Sequence, residues 1–164
     1  MRKRLPIKPI TNTETAHAFL FGLILNQNQR AERAWKAPYL LKKRLGTLNA
    51  EKLVHLSHGE FMSAFILQPA LHPFAFSMVG YLRDACNHLL FKYDGDARNI
   101  WIAGSTAGEV LVRLQEFRGI GLHKATVGVF LLQQELGVLL RDDGTRIDVR
   151  SACPRLYNRY HEEE

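Results

Sequence analysis

The sequence predicts an all-α protein, and three features of it support that fold class. Apolar residues recur at helical spacing, strand patterns are scarce, and residues typical of helix ends lie between the apolar segments. The spacing is clearest over residues 74–93, where the apolar positions are Phe76, Val79, Leu82, Cys86, Leu89 and Leu90. The pattern therefore predicts many helices joined by short loops.

Cap residues indicate where these helices begin and end. Asn12 or Thr13 can cap a helix over 16–25 that is apolar nearly all round, and Gly46 is typical of the residue after a helix over 30–45. Thr106 with Glu109 three residues later predicts a capping box before a helix over 107–117. The remaining predicted helical segments are 51–56 after Asn49, 59–67, 74–93, a short turn at 99–103, 122–136, and one that starts near residue 148.

Two stretches do not follow the helical pattern. Residues 137–141 and 145–147 flank Asp142-Asp143-Gly144, a turn sequence, and are compatible with a short β-hairpin. Residues 1–11 combine basic residues with two prolines, so we expect an extended basic arm there.

Composition limits the class of protein. A chain of 164 residues with 46% hydrophobic residues is long and apolar enough for one folded domain, or for two small lobes that share a core. Its longest apolar runs fall short of the ~20 residues of a membrane span, and no secretory signal follows the basic start. We therefore expect a single domain over 1–164 and a cytoplasmic location, at the nucleoid if the source is a bacterium or an archaeon.

Charge and cysteine content bear on partners and cofactors. The formal net charge of +6 favours polyanionic partners only slightly, because many soluble proteins are basic. Two cysteines far apart indicate neither a disulfide framework nor a zinc or iron–sulfur site. The seven histidines form no pair at metal-binding spacing. We expect no metal and no small-molecule cofactor.

The most informative segment is Gly119-Ile120-Gly121, which lies between two amphipathic helices. Its glycines allow a tight reversal and leave the backbone open to a phosphate, which the N–H groups of the next helical turn can bind. Ile120 is expected to point inward. Arg118, His123 and Lys124 can add side-chain contacts to phosphate. The alternative interpretation is an ordinary helix–helix turn with glycines for geometry alone.

This segment resembles the helix-hairpin-helix of the endonuclease III-like (HhH-GPD) DNA glycosylases, whose pattern is Leu-Pro-Gly-Val-Gly-x-Lys-x-Ala. The small Ala125 matches the final alanine of that pattern. The apolar helix that runs into amides over 19–29, the order of 74–93, 94–96 and 111–125, and Ile147-Asp148 before a helix are similar to other parts of the family. The resemblance covers about residues 16–160, with the hairpin at about 107–136. It implies a helical bundle of two lobes with a cleft between them.

The resemblance also implies an activity: a base flips out of double-stranded DNA and its bond to C1′ is broken. Asp148 would be the carboxylate that stabilises the oxocarbenium-like transition state. Asn28 would be the wedge that fills the gap in the duplex, with Gln27 and Gln29 as alternatives. Gly119, Gly121 and the backbone at 123–124 would bind phosphate.

Departures from the family narrow this prediction. His123 occupies the position of the lysine that attacks C1′ in strand-cutting members, so the resemblance implies monofunctional base removal. The interval from the hairpin to Asp148 is long, with an insertion around 141–146, which leaves Asp142 and Asp143 as less favoured bases.

Asp148 can also serve only as a helix cap, in which case Pro154 falls in the second turn and predicts a kink. The leading hypothesis is therefore a monomeric, monofunctional DNA N-glycosylase. The alternatives are a non-catalytic DNA-binding module on the same scaffold and a helical protein-interaction domain.

Overall fold

The computed structural model describes residues 4–161, and within this range the chain is helical without a β-strand, which confirms the all-α fold class. The first five helices are α1 Thr13–Leu25, α2 Ala31–Leu45, α3 Ala50–Val54, α4 His58–Ile66 and α5 Ala75–Lys92. A 3-10 turn at Ala97–Trp101 follows. The last four helices are α6 Ala107–Leu114, α7 Leu122–Gln134, α8 Val149–Ala152 and α9 Pro154–His161.

Helix α1 lies at the centre of the molecule. Every residue of 16–25 is buried, as expected for a helix that is apolar nearly all round. It contacts α2, α5, α7 and the 3-10 turn. Helices α2–α5 also contact one another, and so do α6–α9, so α1 links two sets of helices into one apolar core. None of the helices described is long and apolar enough to cross a membrane.

The predicted helix caps form, and each is made by residues that are close in sequence. The Asn12 side chain accepts from the Thr15 N–H at 2.9 Å, so Asn12 rather than Thr13 caps α1. Thr106 and Glu109 form the predicted capping box of α6. Gly46 adopts φ +81° after α2, a left-handed conformation that suits glycine.

The predicted β-hairpin after α7 is wrong. Instead of pairing with 145–147, Arg141 forms an isolated parallel bridge with the chain that enters α6. Its N–H donates to Ser105 O and its carbonyl accepts from Ala107 N–H, both at 3.0 Å. Asp143 then accepts from the Thr106 hydroxyl at 2.8 Å. The beginning of α6 therefore satisfies the groups that a partner strand would have satisfied.

Two other boundaries differ from the prediction. The 3-10 turn begins at Ala97 rather than Asn99, because the Asp96 carboxylate accepts from the Arg98 N–H at 2.9 Å and caps it earlier. Pro154 separates two helices instead of kinking one. Since proline disfavours helical geometry in the residue before it, Cys153 is extended (φ −145°, ψ 80°) and Pro154 starts α9.

The predicted N-terminal arm is partly packed against the core. Residues 1–3 lie outside the described range, but Leu5 is buried at 6% exposure and Ile7 and Ile10 pack on the core. The Lys8 ammonium lies 4.3 Å from the centre of the Tyr39 ring. Residues 4–11 are thus non-helical, as expected, and attached to the surface.

Candidate nucleic-acid interface

The turn between α6 and α7 is fixed from inside by apolar side chains. Phe117 and Ile120 are 2% and 4% exposed, and Ala125 at the first turn of α7 is fully buried. The Ile120 N–H donates to Phe117 O at 3.0 Å. The prediction that Ile120 points inward is confirmed. A turn pinned in this way presents its remaining backbone to solvent in one conformation.

Glycine occupies the two positions of the turn for different physical reasons. Gly119 has φ +90°, and a Cβ built there would lie 2.8 Å from the Tyr81 ring, so the fold itself requires glycine. Gly121 has φ −89° and ψ −171°, which any residue adopts, and nothing lies within 4 Å of its Cβ position. Neither backbone strain nor internal packing therefore accounts for Gly121.

The start of α7 is open. Gly121 has no side chain with which to cap the helix, and the first intrahelical bond runs from Ala125 N–H to Gly121 O at 2.9 Å. The N–H groups of residues 122–124 consequently have no acceptor within the helix. Leu122 is 62% exposed and His123 is exposed beside it. The arrangement combines bare backbone with the positive end of a helix dipole.

Arg118 stands at the other side of the turn with its side chain 69% exposed. Its guanidinium lies 3.1 Å from an Asp84 carboxylate oxygen and 5.2 Å from the centre of the Tyr81 ring. An exposed ion pair of this kind contributes little to stability, so the cation is held close to the turn without being sequestered.

Lys124 does not extend to solvent, and the prediction of its side chain as a phosphate contact is wrong. It is 8% exposed, and its ammonium donates to Ile24 O and Gln27 Oε1, both at 2.6 Å. Burial lowers the pKa of this lysine to about 8. Every residue of α7 from 124 to 132 is buried. The apolar run after Lys124 is the sequence feature that could have predicted the burial of this lysine.

The amide segment after α1 is only partly available as a duplex wedge. The Gln27 side chain is bound by Lys124, and the His72 Nε2 lies 2.8 Å from Gln27 O. The Gln29 amide nitrogen donates to Leu25 O at 3.0 Å, while its Oε1 is buried and has no hydrogen-bond partner among residues 4–161. Asn28 is exposed and left-handed, with φ +53°. Of the three predicted wedge residues, Asn28 alone is an exposed amide.

Asp148 caps α8, as one of its two interpretations predicts. Its carboxylate accepts from Ser151 N–H at 3.1 Å and lies 3.3 Å from an Arg146 guanidinium nitrogen. The hydrogen bonds from Ser151, with the nearby Arg146, hold its pKa below the usual value. Asp142 accepts from Gly144 N–H within its own turn. Asp143 is bound to the start of α6, so these two carboxylates serve the loop.

A cavity of about 560 Å³ opens beside the turn, between α2, α7 and α9. His123 and Val127 form its α7 wall, and Arg30 and Trp35 form part of its α2 wall. Gln29 also lines it, and the sequence did not reveal this cavity because four separated segments, including Leu5 of the N-terminal arm, enclose it. Asp148 is not among the lining residues, although Cys153, Arg155, Leu156 and Arg159 from the segments after it are.

Comparison with known proteins adds no further constraint. The sequence matches no protein-family model, and it matches no curated protein. The geometry of the turn, the cavity and the charges around them therefore carries the functional argument.

Proposed function

We propose that this protein binds the sugar–phosphate backbone of duplex DNA through the α6–α7 turn, residues 118–123. The single observation that carries the proposal is Gly121. Neither its backbone angles nor its surroundings require a glycine, and it lies where the start of a long helix is uncapped. A phosphate that approaches this backbone closely supplies the reason for a missing side chain.

Charge and shape support a polyanion as the ligand. The three N–H groups at the start of α7 can donate to phosphate oxygens, and the helix dipole stabilises the negative charge. Arg118 adds an exposed cation at the rim of the turn, although Asp84 is paired with it, and the chain carries a net charge of +6. Contacts of this type grip any duplex and carry no information on base sequence.

Binding of fluorescent duplexes of unrelated sequence tests this proposal. Gly121→Val places a branched side chain over the exposed N–H groups while the extended backbone at 121 tolerates it. We expect affinity to fall about tenfold for every duplex alike, since one charged hydrogen-bonding contact is worth about 1.5–3 kcal/mol. Gly59→Val is the matched control, because Gly59 is exposed on α4 and has room for a side chain.

Equal affinity of Gly121→Val and wild type would contradict the proposal. So would a loss confined to one duplex sequence, since that indicates base contacts. Thermal unfolding of each variant separates a binding defect from loss of the fold.

Monofunctional base removal is the second candidate function, and the cavity beside His123 favours it. With α1 between a lobe of α2–α5 and a lobe of α6–α9, this cavity would be the cleft that receives a flipped base. Its volume of about 560 Å³ lies within the range of ligand pockets, roughly 300–1,000 Å³. Asp148 does not line this cavity, but Cys153, Arg155 and Leu156 in the segment after it do. The Asp148 carboxylate, with a lowered pKa, is ionised, as an electrostatic stabiliser of an oxocarbenium ion requires.

Excision from a panel of lesion-bearing duplexes tests this second function. Asp148→Asn preserves a side-chain oxygen for Ser151 N–H, so α8 stays capped while the negative charge is removed. We expect any activity of the wild type to be lost in this variant. Activity that persists would exclude Asp148 as the catalytic group. Inactivity of the wild type on every lesion, with salt-sensitive duplex binding, would favour the binding module.

A further inference from the structure

A second depression, of about 710 Å³, is lined by α2 and by the segment over 69–71. Three exposed cations line it, Arg30, Arg33 and Lys36. Its floor is apolar and is formed by Ala37, Leu40 and Leu71. We name this depression the α2 groove. A row of cations along a groove is a feature with which proteins follow a nucleic-acid backbone.

Within residues 4–161, no carboxylate forms an ion pair with the cations of the groove, Arg30, Arg33 and Lys36. Arg33 donates to Ala70 O at 2.6 Å, which orders its guanidinium without cancelling the charge. The carboxylate in the groove, Glu32, lies 3.4 Å from the Arg159 guanidinium, so a cation from another helix offsets it.

The α2 groove adjoins the cavity beside the α6–α7 turn. Arg30 and Glu32 line both the α2 groove and the cavity that His123 and Val127 line. The two depressions therefore adjoin, and His123 immediately follows the open backbone at Gly121–Leu122. A polyanion held at the turn can continue past Arg30 into the groove.

We propose that the α2 groove binds a second stretch of DNA backbone, continuous with the stretch held at the α6–α7 turn. The inference rests on the proposed DNA binding and adds the path that the nucleic acid follows over the surface. Charge complementarity selects the occupant: three cations without an ion pair among residues 4–161 line a groove that adjoins the cavity beside the open start of α7.

The salt dependence of binding measures how many phosphates the groove engages. Each phosphate contact contributes about 0.9 to the slope of log affinity against log salt concentration on duplex DNA. We compare wild type with the double variant Arg33→Gln/Lys36→Gln on a long duplex of arbitrary sequence. The expected slope is smaller in magnitude by about 2, with weaker binding at low salt.

Lys52→Gln is the matched control, because Lys52 is an exposed lysine on α3 that lines neither depression. Its slope should equal that of the wild type. Lys36→Gln alone should reduce the slope by about 1, and it avoids any effect of Arg33 on the loop that contains Ala70. Thermal unfolding of the variants verifies that the fold persists.

The outcomes distinguish the groove from the turn. If Gly121→Val weakens binding but the groove variants keep the wild-type slope, the groove proposal is overturned and the turn proposal stands. If wild type shows no salt-sensitive duplex binding, both are overturned. A polyglutamate peptide that binds wild type but not the double variant, with the DNA slope unchanged, would identify an acidic protein segment as the occupant and overturn a DNA path.

Discussion

The α6–α7 turn and the segment over 137–148 are both loops after a helix, but they are held in opposite ways. The turn is pinned by buried apolar residues such as Phe117 and Ile120. The later segment is mostly exposed, with Leu139 at 90%, and polar bonds tie it to the start of α6. The proposed grip on DNA is therefore part of the core, whereas the predicted catalytic carboxylate lies on a surface loop.

The same contrast holds at the two helix starts. Gly121 leaves the first turn of α7 uncapped, so its N–H groups remain for an outside anion. Asp148 fills the first turn of α8 with its own carboxylate. When a side chain of the protein already accepts from the N–H groups at a helix start, fewer of these N–H groups remain to bind a ligand. The difference favours binding at the turn over chemistry at Asp148.

The largest expected loss of stability comes from a substitution in the α6–α7 turn. Phe117→Ala removes a ring that stacks on Tyr93 at 5.9 Å and meets His88 edge-on at 4.9 Å. We expect the free energy of unfolding to fall by about 3–5 kcal/mol, measured by urea denaturation. Leu139→Ala, the control in the exposed segment, should change it by less than about 0.5 kcal/mol. Equal effects at both sites would contradict the contrast between the two loops.

The next prediction is that substitution of the two glycines of the turn changes the free energy of unfolding by different amounts. Gly119→Ala should lower the free energy of unfolding by about 1–3 kcal/mol, because alanine is strained at φ +90° and meets the Tyr81 ring. Gly121→Ala should change it by less than about 1 kcal/mol, because the stiffer unfolded chain and the poorer N-cap have opposite effects. Urea denaturation of both variants measures the difference. A large loss in Gly121→Ala would mean that the fold itself requires this glycine.

A pH-dependent effect concerns Lys124, which attaches the turn to the end of α1. Its folded-state pKa is lowered from 10.5 to about 8, so between these values the unfolded chain binds more protons than the folded one. The free energy of unfolding should therefore rise with pH across this window, by at most about 1.4 kcal/mol per pH unit from this group.

Lys124→Met removes this contribution. The difference in free energy of unfolding, wild type minus variant, should increase as pH passes upward through about 8. Denaturant midpoints of both proteins below and above that pH provide the measurement. Parallel pH profiles would show that the ammonium is not buried in solution.

The smallest expected effect lies in the exposed segment. Asp148→Ala removes the cap of a helix of four residues and should lower the melting temperature slightly. Asp148→Asn should leave it near the wild-type value, because the amide oxygen can still accept from Ser151 N–H. Since the folded-state pKa of Asp148 is lowered, the wild-type advantage over Asp148→Ala should persist above the ordinary pKa near 3.8 and disappear in acid. A large destabilisation by Asp148→Asn would indicate a role of the charge beyond capping.

Much of the fold was predictable because helix starts depend on neighbours in sequence. The Asn12 and Thr106 caps and the Gly46 end each involve residues within one turn of the helix, so the sequence displays both partners. The inward position of Ile120 follows from the same short-range pattern. Features with local causes could therefore be placed to within a few residues.

The features that the sequence did not predict depend on residues far apart in the chain. The sequence predicts Lys124 as a surface cation, yet its ammonium is buried against the carbonyl of Ile24 on α1 and the side-chain amide of Gln27 just after α1. Arg141 pairs with the start of α6 rather than with the next few residues. Local spacing does not contain either partner. The cavity beside His123 and the α2 groove are likewise formed by segments that only tertiary packing brings together.

The bridge between Arg141 and the residues around Thr106 has a consequence for modularity. Its two backbone hydrogen bonds join the ends of the stretch over 105–141, which contains α6, the turn and α7. The two ends of this stretch therefore lie next to each other. A stretch with adjoining ends can be exchanged between chains without changing the path of the remainder. A new host would need a central helix that packs on Gly128, as Leu23 does here, and aromatic residues that pack on Phe117, as Tyr93 does here.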